Sequence, residues 1–256
     1  MKLSIVIPAH NEEHRLPPML EAYGKCFSEK YGDEVELIVV ANYCDDRTAD
    51  VAREIGGRYP QIKVIEELSR VGKGGAVVLG AKAAQGYLVG FVDADGATPA
   101  TAFDDLVEKI GAHGCIIASR WMKGSDVSPK QPLSRRLASR CFNGMVRLLF
   151  GLKLTDTQCG AKLFRREIVQ PVLENLGETS WAFDVDMLFQ TKRMGASICE
   201  VPTVWCDIAG SKIQIGRASI DMIIALVRLR MVYSPLRWLV PHIAKVVEKI
   251  IPYEQR

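Results

Sequence analysis

Short β-branched apolar runs alternate with helix-like stretches through the first half of the chain. The runs are "LSIVIPA" (3–9), "ELIVVAN" (36–42), "KVIEEL" (63–68), "LVGFVDAD" (88–95) and "CIIASR" (115–120). This rhythm predicts a parallel α/β sheet. Helices are predicted from near His14, where "PPML" fits because proline is tolerated in a first turn, and over about 47–58, 74–85 and 99–110. Open α/β sheets bind ligands beyond the carboxyl ends of their strands. Here those ends carry Asn11, Asn42, Asp93, Asp95, Ser119 and Arg120.

Beyond residue 120 the rhythm changes. A proline-bearing loop, "GSDVSPKQP", leads into "LSRRLASRCFNGMVRLLFG", helical by the spacing of Leu133, Leu137, Cys141, Met145, Leu148 and Leu149. Strand-like "AKLFRR" and "SICEVPTVW" flank a further helix through Trp181–Arg193. With no repeat, low-complexity tract or linker, the pattern predicts one domain over 1–215 and an amphipathic tail over 216–256.

Composition adds limits. At 256 residues, 48% hydrophobic and 25% charged, the chain can bury a sizeable core. Its seven cysteines form no CxxC pair and no cysteine–histidine cluster, which points to reduced thiols in a cytoplasmic setting and away from structural zinc. The opening apolar run is short and meets Pro8, so a secretion signal is not expected. Near the C-terminus "MIIALV" is cut by Arg228 and Arg230, far short of the roughly 18 residues that span a bilayer. Membrane contact is therefore expected to be peripheral.

Charge is unevenly placed. Residues 120–153 hold eight Lys/Arg against Asp126 alone, and 212–249 hold seven against two acids. Two such segments suggest an anionic partner, namely nucleic acid, a phosphorylated ligand or anionic lipid; either segment alone reads first as a solvated helix face. Interleaving with aliphatic rather than stacking aromatic residues argues against nucleic acid.

The sharpest chemistry lies in "FVDADGATPA". Asp93 and Asp95 leave an apolar run one residue apart, so their side chains point roughly the same way. Oxygen ligands of this kind suit Mg²⁺ or Mn²⁺, completed by a diphosphate-bearing substrate. Either aspartate alone fits a turn or helix cap as well. "RVGKGGAV" could bring backbone amides and Lys73 to a phosphate, or be a glycine-rich turn with a solvated lysine.

Taken in order, "IVIPAHNEE", "VVANYCDDRTAD", "VGKGGA", "VDADGATP" and "ASR" resemble the nucleotide-sugar half (1–120) of family 2 glycosyltransferases, which have the GT-A fold. "DTQCGAKLFRR", "WAFDVDMLF" and "EVPTVWCDIAGSKI" are similar to an acceptor half (121–215) of the dolichyl-phosphate glucosyltransferase branch, kin of the polyprenyl-phosphate mannosyltransferases. The resemblance implies an α/β GT-A fold and a metal-dependent inverting transfer of a hexose. The donor would be a nucleotide sugar and the acceptor a polyprenyl phosphate at the cytoplasmic membrane face. A soluble acceptor, GDP-mannose as donor, and a noncatalytic nucleotide-binding or membrane-docking module are the alternatives.

By resemblance, Pro8, Ala9 and Glu12 meet the nucleotide, and Asp93 and Asp95 hold the metal, Asp95 most directly. Arg120, Arg135 and Ser139 hold the acceptor phosphate, while Ser211 and Lys212 close over the donor diphosphate, Lys212 stabilising the leaving group. Asp184 stands where many relatives keep a base. A phosphate acceptor with a second pKa of about 6 needs none, leaving Asp184 and Asp156 orienting roles. The family's usual "VDDGSxD" is "VANYCDD" here, so Asn42 replaces a carboxylate that commonly reads the base. Asparagine suits uracil better than guanine, whose base edge offers two adjacent donors, and UDP-glucose is the expected donor.

Overall fold

The computed structural model describes residues 1–130, 132–177, 182–206 and 215–235, with 215–220 as backbone only. The first half runs β1 (Leu3–Ala9), α1 (Leu16–Tyr31), β2 (Val35–Asn42), α2 (Thr48–Gly56), β3 (Ile62–Glu67), α3 (Gly72–Ala83), β4 (Leu88–Phe91), α4 (Ala100–Lys109) and β5 (Cys115–Ser119). The second half adds β6 (Asp126–Ser128), α5 (Leu133–Phe150), β7 (Lys162–Arg165), α6 (Arg166–Glu174), α7 (Phe183–Arg193), β8 (Ile198–Pro202), β9 (Val204–Cys206) and α8 (Ile215–Val232).

Seven strands form one sheet in the order β3-β2-β1-β4-β7-β5-β8, and β6 pairs with β9 in a small parallel ribbon. All neighbours in the large sheet are parallel except β7, which lies antiparallel between β4 and β5. The expected mostly parallel sheet is therefore present, and a strand from the second half of the chain is built into its middle.

Successive side chains of a strand point to opposite faces, so an unbroken apolar strand feeds two cores. Leu3, Ile5 and Ile7 pack with Leu16, Leu20, Phe27, Phe103 and Leu106 on one side. Val6 joins Ala76, Val77, Phe142, Val146, Phe183 and Leu188 on the other. Helix α3 lies close on β1 because residue 80 is glycine; a Cβ there would come 2.4 Å from Val6 Cγ1.

Departures from the sequence reading are local. Strand β4 ends at Phe91, not at Asp95, and the aspartates sit on the turn that follows. Strand β6 lies in the expected proline-bearing loop, paired with β9, a long-range partner that local pattern does not reveal. Helix α6 went unread because it is short and contains Pro171. The 133–150 helix is observed with those bounds and stops at Gly151, whose φ of 66° is left-handed.

Candidate active site

The carboxyl ends of β1, β2, β4 and β5 converge on one polar cluster. At the end of β1, Ala9 is buried and Pro8 partly so. Asn11 follows at φ 54°, a left-handed position asparagine tolerates, and its Oδ1 accepts the Asp45 N–H at 2.9 Å. Glu12 donates its backbone N–H to Thr48 Oγ1 at 2.8 Å, while its carboxylate takes both Nε and Nη2 of Arg15. At the end of β2, Asn42 is buried; its Nδ2 donates to Ser69 O at 2.8 Å.

The first turn of α3 brings Lys73 beside the β4 turn, with Nζ 2.6 Å from Asp93 Oδ1. The other Asp93 oxygen lies against Gly160, where a Cβ would come within 2.0 Å of Oδ2. Only glycine allows that approach. Asp95 Oδ1 accepts the Ala97 N–H at 3.0 Å, so this residue does close the turn, and its second oxygen has no hydrogen bond among the described residues.

At the end of β5, Arg120 makes a two-pronged pair with fully buried Asp156, Nε to Oδ2 at 2.7 Å and Nη2 to Oδ1 at 2.9 Å. Glu200 on β8 fixes this loop by accepting the Thr155 and Asp156 N–H groups at 2.9 and 2.8 Å. Strand β7 contributes Lys162, wholly buried, whose Nζ donates to Asp184 Oδ1 at 2.6 Å and to Cys159 O at 2.7 Å. Helix α5 is tied to the same loop through Asn143 Oδ1, which accepts the Thr157 N–H at 3.0 Å. On that helix Ser139 accepts from Trp121 Nε1 at 3.2 Å, and Arg140 stacks over the Trp121 ring.

These neighbours set the charge states. Burial opposes ionisation of Asp184, but Lys162, aided by Lys73, outweighs it and holds the carboxyl below the usual carboxylate range. Asp156 follows the same pattern, its burial outweighed by Arg120. Asp95 goes the other way, since burial and then the Asp93 charge raise its pKa against the Ala97 hydrogen bond, Arg15 and Lys73. Burial also disfavours the Lys73 ammonium, yet the Asp93 and Asp184 carboxylates prevail and raise its pKa.

A family model described as glycosyl transferase family 2 matches residues 4–173. The chain belongs to glycosyl transferase family 2. This glycosyltransferase is 34% identical over 243 residues to the dolichyl-phosphate beta-glucosyltransferase of Dictyostelium discoideum, covering 90% of its own length and 74% of the relative. It is 32% identical over 250 residues to the Saccharomyces cerevisiae protein of that name, covering 90% and 75%. Its architecture is the GT-A fold, shared with glucosyl-3-phosphoglycerate synthase from Mycobacterium tuberculosis solved in complex with UDP. That match has a TM-score of 0.67 and 21% identity over 91% of this chain and 82% of the other.

The glycosyltransferase's structure gathers Glu12, Asn42, Lys73, Asp93, Asp95, Arg120, Asp156 and Asp184 at one end of the sheet, with several already paired. Arg135 lies partly buried on α5, one turn before Ser139. Ser211, Lys212, Trp181 and the tail beyond 235 lie outside the described residues. Sequence reasoning missed Lys162, Arg15 and Gly160. The one signal for Lys162 was a charge opening the short strand KLFR; nothing local marked the other two.

The carboxylate pair fits a divalent cation. The donors are oxygens, and the burial and neighbouring charge that raise the Asp95 pKa are the penalty such an ion relieves. Among the described residues no three His, Cys, Asp or Glu side chains converge. Remaining ligands would then be water and substrate oxygens, as Mg²⁺ and Mn²⁺ accept.

Proposed function

We propose that this protein transfers glucose from UDP-glucose to a polyprenyl phosphate of the dolichyl type, with inversion, at the cytoplasmic face of a membrane. The observation that carries this reading is the buried Lys162–Asp184 ion pair. An aspartate held ionised by a buried ammonium is a weak base for a sugar hydroxyl, whereas an acceptor phosphate brings its own negative oxygen. The names of the curated relatives, dolichyl-phosphate beta-glucosyltransferases, agree with that acceptor.

In this reading Pro8, Ala9, Glu12 and Asn42 receive the nucleotide. One N–H of the Asn42 amide is engaged by Ser69 O, and the amide oxygen is an acceptor suited to the single N3–H of uracil. Guanine would ask for two adjacent acceptors. Asp93 and Asp95 hold Mg²⁺ or Mn²⁺, which when bound neutralises charge on the leaving diphosphate. Lys73, beside Asp93, would meet the same phosphates, and for Ser211 and Lys212 the donor-side roles are those the family resemblance implies.

Arg120 faces the acceptor as half of a neutral pair with Asp156, and Arg135 joins it in receiving the acceptor phosphate, with Ser139 on the same helical face. A phosphate oxygen attacks the anomeric carbon from the face opposite UDP. The new C–O bond forms as the bond to the diphosphate breaks, and its electrons leave with UDP, giving a β-linked product. Leu133, Leu137 and Leu148 of α5 are 78%, 66% and 84% exposed among arginines, a surface suited to lipid headgroups and acyl chains. Among the described residues no helix is long and apolar enough to cross a membrane. Incubation with a panel of nucleotide sugars, membrane lipid extract and Mn²⁺ tests the assignment; it should yield a glucolipid from UDP-glucose. Transfer to soluble hydroxyl acceptors with none to lipid would overturn it.

A further inference from the structure

Two lysines approach the Phe91 ring, Lys162 with Nζ at 5.3 Å and Lys73 with Nζ at 6.0 Å from its centroid. They are held very differently. Lys162 is enclosed, with an ion pair to Asp184 and a hydrogen bond to Cys159 O. Lys73 reaches from the first turn of α3, its side chain is 41% exposed, and among the described residues its ion pair is to Asp93.

Both carboxylate oxygens of Asp93 already have a close neighbour. Its Oδ2 rests against Gly160, and its Oδ1 is the atom Lys73 contacts at 2.6 Å. A divalent ion bound through Asp93 must therefore meet the Lys73 ammonium at the same carboxylate, where two positive charges repel. The diphosphate of a donor removes that conflict, since it offers Lys73 another anion within reach of the same turn.

We propose that Lys73 is a tethered counter-ion of Asp93 that competes with the divalent metal until a nucleoside diphosphate takes it over. Rests on the metal reading above, this exchange couples metal binding to donor binding. Without nucleotide, Lys73 weakens the metal site. With nucleotide, the ammonium moves to the diphosphate and the metal gains Asp93 unopposed. Lys73 thus acts as a positioning and ordering residue, and removing it should change metal affinity and nucleotide affinity in opposite directions. A residue that merely supported the fold would weaken both.

The test measures Mn²⁺ binding to the full chain by the loss of the free-ion electron paramagnetic resonance signal, with and without UDP. Lys73→Met should bind Mn²⁺ about two- to fivefold more tightly than the wild type without UDP, the range expected for removing one partly exposed charge contact. Lys73→Arg, which keeps the charge, should stay close to the wild type. UDP affinity in the presence of Mn²⁺ should fall in Lys73→Met. Mn²⁺ binding in Lys73→Met that is no tighter than wild type without UDP overturns the exchange. Asp95→Ala separates the two readings: if it binds Mn²⁺ as the wild type does, with or without UDP, the metal assignment itself fails.

Discussion

Where β4 ends, Lys73 and Asp93 meet with 41% and 36% of their side chains exposed; across the site, Lys162–Asp184 and Arg120–Asp156 meet with 0%/11% and 15%/0%. The first pair is open to exchange with a ligand, because water and incoming anions reach both partners. The other two are closed, because releasing either partner would strand a charge in the interior. One flank is thus suited to binding a charged donor and metal that come and go. The other provides a fixed, nearly neutral floor, beside which α5 carries Arg135, the proposed contact of an acceptor phosphate.

Breaking the closed flank should have the largest effect. Lys162→Met leaves Asp184 buried without its cation and should cost about 3–5 kcal/mol of folding stability, read from a denaturant midpoint. The double variant Lys162→Met with Asp184→Leu should recover most of that loss. Failure to recover it would mean that Lys162 contributes through Cys159 O rather than through the pair.

Arg135→Ala leaves the floor intact and removes the proposed phosphate contact. Loss of one charge-assisted hydrogen bond of about 1.5–3 kcal/mol corresponds to roughly a ten- to hundredfold drop in kcat/KM for the acceptor, with little change in KM for the donor. An equal rise in donor KM would place Arg135 on the wrong flank.

Acid should expose the smallest difference. Asp156 and Asp184 have depressed pKa values in the folded protein, so their stabilisation is complete above the unfolded value of about 3.9 and is lost as pH falls through the lower folded values. The stability gap between wild type and Asp156→Asn should hold from pH 7 to about pH 4 and close below it. A gap that closes already near neutrality would contradict the ionised buried carboxylate.

Most strands and α5 were legible because their signals are local: β-branched runs for β1, β2 and β5, apolar spacing for α5. Strand β6 and the insertion of β7 between β4 and β5 depend on partners far along the chain, which periodicity cannot supply. At the site, residue identities at strand ends pointed to Asp93, Asp95, Asn42 and Arg120. Their pairing was not legible. Arg120 read as a free phosphate ligand until Asp156, thirty-six positions on, was found in its guanidinium fork. Lys162 was hidden because a lysine in an apolar strand gains its meaning only from an aspartate on a separate helix.

With Asp184 held in an ion pair, the proposed acceptor is one that already carries its own negative oxygen. Labelled UDP-glucose and Mn²⁺ should be offered with a polyprenyl monophosphate, with the corresponding phosphate-free polyprenol and with a small hydroxy acid. Label is expected in the polyprenyl-phosphate product alone. Label on the free polyprenol or the hydroxy acid at a comparable rate would contradict it, since a neutral hydroxyl would then be activated by a base that this site does not offer in that state.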